Sequence, residues 1–99
     1  MATINITSSH GEDATLKELL IEGIKEEKKK VEYALSISSG IISNKESKYG
    51  IPTGEFLEKF KKGEINEDED TFQWWTEYKL WNILREKLET LNHIEICRQ

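Results

Sequence analysis

Residues 72–91 read FQWWTEYKLWNILREKLETL, and they carry the strongest helix signal in the chain. Apolar side chains recur at steps of three and four, which is typical of one face of an α-helix. These positions are Phe72, Trp75, Tyr78, Trp81, Leu84, Leu88 and Leu91. Acidic residues just before the stretch favour a helix N-terminus through the helix dipole, and either Asp68 or Asp70 is expected to cap it. The sequence therefore predicts a closing helix that ends at Asn92–His93.

The first half of the chain predicts a second long helix. Apolar positions again step by three and four from residue 12, and a step of seven carries Leu35 to Ile42 and Tyr49. Residues 36–43 read SISSGIIS, and the Gly40 within them costs a helix about 1 kcal/mol relative to alanine. A break or a short strand over residues 36–43 is therefore the alternative. We favour one continuous helix from about residue 13 to residue 49.

A short helix is predicted between the two long ones. Gly50 suits the left-handed position after a helix, Pro52 cannot lie inside a helix, and Thr53 is a good N-cap. The expected helix covers residues 54–62, with Phe56 and Phe60 on one face. The predicted fold is all-α: a long N-terminal, a short middle and a long C-terminal helix form an antiparallel helical hairpin, which is expected to be oligomeric. Residues 1–11 are expected to be an arm, either flexible or a short strand, and residues 12–99 a single helical domain.

Composition excludes several classes of protein. The 99 residues contain 14 Lys plus Arg against 19 Asp plus Glu, a net charge of -5, which disfavours nucleic-acid binding. No apolar run approaches the roughly 20 residues that span a bilayer, so no membrane partner is expected. The single cysteine, Cys97, cannot form an internal disulfide, and no segment reads as a secretory signal. A cytoplasmic location is therefore expected.

Catalytic and metal-binding patterns are weak. The chain has no glycine-rich phosphate loop and no recognisable Ser/His/Asp set. His93 and Cys97 are four residues apart, but a structural zinc site needs four ligands. The acidic run at residues 67–70 lacks the glycine and the bidentate glutamate of a calcium loop. We predict a protein that is not an enzyme, with no catalytic residue, no metal and no cofactor.

The aromatic cluster of the closing helix is the best candidate for a binding surface. Adjacent helical residues point about 100° apart, so Trp74 and Trp75 must face different neighbours. Core and interface both remain open for Trp74. Our hypothesis places Trp75 in the core and Trp74 against a partner, because buried tryptophans and tyrosines often anchor interfaces. The predicted contact residues are Trp74, Trp75, Tyr78 and Trp81, with Phe56 and Phe60 of the short helix beneath them.

Residues 48–91 also carry a pattern of short motifs. They contain KYGI at 48–51, EF at 55–56, KF at 59–60 and GE at 63–64, followed by acids, FQWWTEY at 72–78 and spaced leucines. This pattern resembles the small antitoxin-like proteins of prokaryotic toxin–antitoxin modules. In that family a long first helix ends at a Lys-Tyr-Gly corner, and a short helix and an acidic turn precede a Trp-bearing helix. The first ten residues lie outside the pattern, and residues 36–43 replace strong helix formers.

The resemblance implies a non-catalytic module that neutralises a toxin by covering its surface. Toxins of this type are commonly basic and RNA-directed, so an acidic helical protein with aromatic anchors would complement them. The alternative hypothesis is a self-associating helical structural protein of a virus, plasmid or other mobile element, whose apolar stripe is buried in a homodimer. The expected partner is thus a candidate toxin, a second copy of the chain, or both.

Overall fold

Three α-helices and two short strands make up the described part of the chain. A computed structural model describes the backbone of residues 2–6 and 12–98, and the side chains of residues 14–94. The elements in chain order are β1 (Ala2–Ile6), α1 (Glu12–Tyr49), α2 (Thr53–Lys61), α3 (Glu69–Asn92) and β2 (Ile94–Arg98). The predicted sequence of a long, a short and a second long helix is confirmed.

Packing divides the chain into two compact units. One unit comprises the residues up to Tyr33 together with those from Arg85 onward, and the other comprises Ala34–Leu84. The helices α1 and α3 therefore each supply residues to both units.

The first unit brings the two ends of the chain together. Strands β1 and β2 pair in parallel, with Ala2 opposite Ile94 and Ile6 opposite Arg98. Of the two alternatives for the N-terminal arm, the structure has the strand, while residues 7–11 lie outside the described part of the chain. Between the helices, Lys87 Nζ lies 2.7 Å from Glu27 Oε1. The hydrogen bond from Lys87 lowers the pKa of Glu27, so this ion pair favours the charged carboxylate.

The second unit contains the aromatic core. Trp74 and Phe56 have no exposed surface, and their rings stack with centroids 3.8 Å apart and planes 5° from parallel. Tyr49 closes the cluster from α1, with its ring centroid 5.3 Å from that of Trp74. The C-terminal end of α1 lies beside the N-terminal end of α3, because Lys45 forms an ion pair with Asp70. The predicted antiparallel hairpin is confirmed, with α2 packed on it through Phe56.

Helix α1 is continuous through residues 36–43, as predicted. The serines that weaken its helix propensity have contacts that compensate. Ser38 is buried, and its hydroxyl donates a 2.8 Å hydrogen bond to Glu77 Oε1. Ser39 Oγ accepts the indole N–H of Trp81 at 3.1 Å. Small side chains at these positions let α3 approach closely, so tertiary contacts outweigh the low propensity of the stretch.

A glycine in the left-handed conformation follows the end of α1, and another follows the end of α2. Gly50 and Gly63 have φ values of 70° and 74°, in the left-handed region that glycine adopts without steric cost. The amide of Glu64 donates to the Lys59 carbonyl at 2.8 Å, and that of Gly63 donates to the Phe60 carbonyl at 3.2 Å. This is a Schellman ending. The expected N-cap was wrong by one residue: Pro52 occupies that position, and Thr53 is the first residue of the helix.

A matched pair of glycine substitutions tests this backbone account. Gly40 lies inside α1, and a Cβ added there would meet no atom within 4 Å, so Gly40→Ala should raise the free energy of unfolding by about 0.5–1 kcal/mol. Gly50 is equally unhindered but has positive φ, so Gly50→Ala should lower it by about 1–2 kcal/mol. Urea unfolding followed by circular dichroism measures both. Effects of the same sign would contradict the assignment.

Candidate interaction surface

A reciprocal pair of hydrogen bonds starts α3. The amide of Thr71 donates to Asp68 Oδ1 at 2.9 Å, and the amide of Asp68 donates to Thr71 Oγ1 at 3.0 Å. The Thr71 hydroxyl itself donates to the Asn66 carbonyl at 2.7 Å, and the side chain is buried. Of the two predicted caps, Asp68 is therefore the one used. Asp70 has a different role.

Asp70 joins α3 to the end of α1. Its Oδ1 accepts a hydrogen bond from Lys45 Nζ, whose side chain is buried. Its Oδ2 accepts bonds from Lys48 Nζ at 2.9 Å and from the Tyr49 hydroxyl at 2.6 Å. Lys45 Nζ also donates to Gln73 Oε1 at 2.8 Å. A carboxylate with three donors is well satisfied, so this cluster holds the two helices in register and is not free to bind a ligand.

The same contacts change two pKa values. The hydrogen bond from Lys45, with those from Tyr49 and Lys48, holds the pKa of Asp70 well below its usual range. The hydrogen bond to Asp70, assisted by burial, raises the pKa of Tyr49 to about 12. Both shifts favour an ionised Asp70 beside a neutral Tyr49 at neutral pH.

The Asp70 cluster predicts an acid-sensitive fold. The folded-state pKa of Asp70 lies below its unfolded value of about 3.9, so its contribution is complete above about pH 5 and is lost as the pH falls. Asp70→Asn should therefore flatten the fall in stability between about pH 5 and pH 2. Urea midpoints measured across this range test the change. Glu69→Gln, which removes the neighbouring acid, should keep the wild-type slope, and an unchanged slope in Asp70→Asn would contradict the assignment.

The seam of α3 that faces α1 has a phase different from the one predicted. Asp70 meets Lys45, Glu77 meets Ser38, and Trp81 meets Ser39. Trp74 lies on the same seam, because residues 70, 74, 77 and 81 follow steps of four, three and four. The predicted series 72, 75, 78 and 81 shares only Trp81 with the seam residues 70, 74, 77 and 81.

The assignment of the two adjacent tryptophans is therefore corrected. Trp74 is in the core, where its indole N–H donates to Thr53 Oγ1 at 3.1 Å. Trp75 is half-buried on the outer flank, with Lys79 Nζ 4.6 Å from its ring centroid. Of the six predicted partner-binding residues, Trp74 and Phe56 offer a partner no surface. The partly exposed ones are Phe60, Trp75, Tyr78 and Trp81.

A second apolar stripe lies on the opposite side of α3. Phe72, Leu80 and Ile83 are 57%, 42% and 62% exposed, and we call them the outer stripe. Phe72 and Ile83 are about three helical turns apart on one line, and Trp74 points about 200° away from Phe72. The predicted apolar series had placed Phe72 on the core face of α3. At about 100° per residue, Leu80 and Ile83 lie about 120° and 180° around the helix from Trp74. That angular separation was the signal in the sequence for a separate face.

Other kinds of site find little support in the described residues. Within residues 14–94 no three His, Cys, Asp or Glu side chains lie close enough together to hold a metal ion. His93 Nδ1 lies 2.7 Å from the Glu89 carbonyl oxygen, at the end of α3. None of the helices in the described chain has the length and apolar character needed to cross a bilayer. Comparison with family models, curated proteins and solved structures finds no match for this chain.

Proposed function

We propose that the chain is a non-catalytic protein-interaction module, antitoxin-like, that neutralises a partner toxin by covering its surface. The outer stripe of α3 carries this proposal. Phe72, Leu80 and Ile83 are large apolar side chains on the face of the helix turned away from the aromatic core. Several large apolar side chains exposed on one face of a helix are typical of sites of protein contact.

The energetics favour a partner on this stripe. Full burial of one large apolar side chain contributes about 1.5–3 kcal/mol, and because these three are 42–62% exposed, a partner that covers them gains about half of that value from each. Phe72 is an aromatic anchor of the kind that dominates interfaces, and Trp75 lies next to it with ring centroids 5.5 Å apart. A partner that covers the stripe thus also reaches the exposed part of Trp75.

Charge gives the expected character of the partner. A groove of about 560 Å³ beside Phe72 is lined by the carboxyl-bearing residues Glu69 and Glu77, and also by Asp70, whose charge is already paired with Lys45 and Lys48. The whole chain carries a net charge of -5. Complementary charge accelerates association and disfavours wrong partners, so the proposed toxin presents a basic surface around an apolar patch.

The resemblance over residues 48–91 supports the antitoxin-like part of the proposal. The motifs that carry it lie at structurally important points of this chain, since Tyr49 and Asp70 join two helices and Trp74 and Phe56 stack in the core. Those motifs therefore specify the scaffold, and the outer stripe is the surface which that scaffold displays. The proposed place of action is the cytoplasm, where an RNA-directed toxin would meet its target.

Co-expression with the adjacent reading frame tests the proposal. The neighbouring product is expressed alone and together with this chain, growth is followed, and the lysate is resolved by size-exclusion chromatography. We expect growth arrest by the neighbour alone, rescue by co-expression, and co-elution of the two chains in one peak.

The alternative hypothesis gives a different result in the same experiment. A chain that elutes alone as a stable dimer, with tryptophan emission that stays blue-shifted and no effect on the neighbour, would support a self-associating structural protein. That outcome would contradict the antitoxin-like proposal.

A further inference from the structure

A separate pocket lies on another flank of the hairpin in the second unit. It encloses about 260 Å³ between α1 and α3, away from the outer stripe. Its walls are mainly apolar, and the residues that decide its chemistry are Ser39, Ile42, Ser43, Glu46, Tyr78 and Trp81. None of these lining residues is basic. The pocket therefore combines apolar walls with one acidic group.

The aromatic wall is held in a defined orientation. The rings of Tyr78 and Trp81 lie nearly parallel, with centroids 6.2 Å apart and planes 21° from parallel. The hydrogen bond from the Trp81 indole N–H to Ser39 Oγ holds the Trp81 ring against α1. Serines 39 and 43 are short, so the α1 side of the pocket leaves room for a side chain to enter.

Glu46 provides the acidic group. Its Oε2 accepts the amide N–H of Thr53 at 2.8 Å and the Thr53 hydroxyl at 2.9 Å. Those two neutral donors orient the carboxylate without neutralising it. Across the described side chains, residues 14–94, no basic group forms an ion pair with Glu46, and its Oε1 accepts no hydrogen bond. This half-buried carboxylate thus lacks a counter-charge.

We propose that this pocket receives a lysine or arginine side chain from the partner protein. Such a side chain has an apolar stem and a cationic head. The stem would pack along Tyr78 and Ile42, and the head would donate a charge-assisted hydrogen bond to Glu46 Oε1. A neutral side chain of the same length would fill the apolar part and leave the carboxylate without a counter-charge.

A neighbouring concavity extends the site. A shallower cavity of about 290 Å³ shares Ser43 and Glu46 with the pocket and continues along α1 to Gly50 and Pro52. Glu46 therefore lies where the two cavities meet, with space on either side for the backbone that bears the basic side chain. The inference rests on the proposed function only in taking the source of that side chain to be a partner protein.

Small probes test the pocket without the partner. The full-length chain, labelled with ¹⁵N, is titrated with the N-acetyl amides of arginine and lysine, and separately with that of norleucine as the neutral probe. We expect a saturable shift of the Trp81 indole resonance with the two cationic probes, and at least tenfold weaker binding of norleucine. The Trp75 indole, which lies on the outer flank of α3 and does not line the pocket, serves as the internal reference.

Two variants and a control identify the carboxylate. Glu46→Gln retains an oxygen that can accept from Thr53, and it should weaken the cationic probes about tenfold while leaving the norleucine result unchanged. Ser43→Leu should obstruct all three probes. Glu55→Gln makes the same charge change on exposed α2 and should alter none of them.

The proposal is overturned if norleucine shifts Trp81 as strongly as arginine, if Glu46→Gln leaves the cationic probes unaffected, or if no probe saturates. Because no partner is present, these results are independent of the co-expression experiment. Loss of co-elution with intact probe binding would contradict the proposed function and leave the pocket established.

Discussion

Trp74→Ala is expected to lower the free energy of unfolding by about 3–5 kcal/mol, the largest effect that we expect from a single substitution in this chain. The indole is completely buried, stacks on Phe56 at 3.8 Å and contacts the Tyr49 ring. Its removal leaves a cavity that three helices would have to collapse to fill. A loss of this size is a large part of the roughly 5–15 kcal/mol typical of a whole domain. Urea unfolding followed by far-ultraviolet circular dichroism measures it.

Trp75→Ala is the matched control, since it removes the same side chain from the next position. Trp75 is half-buried; it contacts Phe72 and Lys79 of its own helix, and its ring centroid lies 6.3 Å from that of Phe60 of α2. We expect a loss of about 1 kcal/mol. Trp74→Phe adds a third point, because it keeps a stacked ring and loses the bond to Thr53, which costs about 1 kcal/mol. Equal losses in the two alanine variants would contradict the core described above.

Truncation of the outer stripe is expected to weaken partner binding by about 30-fold or more, without loss of the fold. Phe72→Ala combined with Ile83→Ala removes two exposed apolar side chains, and a hot-spot pair contributes about 2 kcal/mol or more. Alanine is the best helix former, so α3 should not be weakened. Calorimetric titration with the co-eluting partner measures the affinity, and thermal unfolding measures the stability.

Leu19→Ala is the control for the outer stripe. Leu19 is 65% exposed on α1 in the first unit, so its truncation removes a comparable apolar side chain from a different surface. Partner affinity should stay within about threefold of the wild type, consistent with the small effect of contacts outside a hot spot. Full affinity in the Phe72/Ile83 double variant, or an equal loss in Leu19→Ala, would place the contact elsewhere.

Local sequence signals predicted the helices well, because each depends on near neighbours. Gly50 takes positive φ as expected at the end of α1, and Asp68 caps α3. The continuity of α1 was the harder prediction, since Gly40 and its serines argue against it. It succeeded because the step of seven through Leu35, Ile42 and Tyr49 continues across the weak stretch.

The main error of the sequence analysis was the choice of which face of α3 packs against α1, and the error has a physical cause. The seam that faces α1 contains two acids, Asp70 and Glu77, which a reading of apolar periodicity passes over. Each becomes acceptable at a helix contact through a specific partner, Lys45 for Asp70 and Ser38 for Glu77. With those positions discounted, the apolar series began at Phe72 and assigned the adjacent tryptophans in reverse.

The sequence alone determined three helices, their order and, to within a residue or two, their limits, because hydrophobic steps, caps and glycines act over a few residues. Only the tertiary structure decided which tryptophan is in the core and which apolar side chains are left facing outward. It also decided that, among the side chains of residues 14–94, Glu46 has only neutral hydrogen-bond partners. These properties depend on pairs of residues distant in the chain, such as Lys45 with Asp70 and Ser39 with Trp81, and no local pattern encodes such pairings.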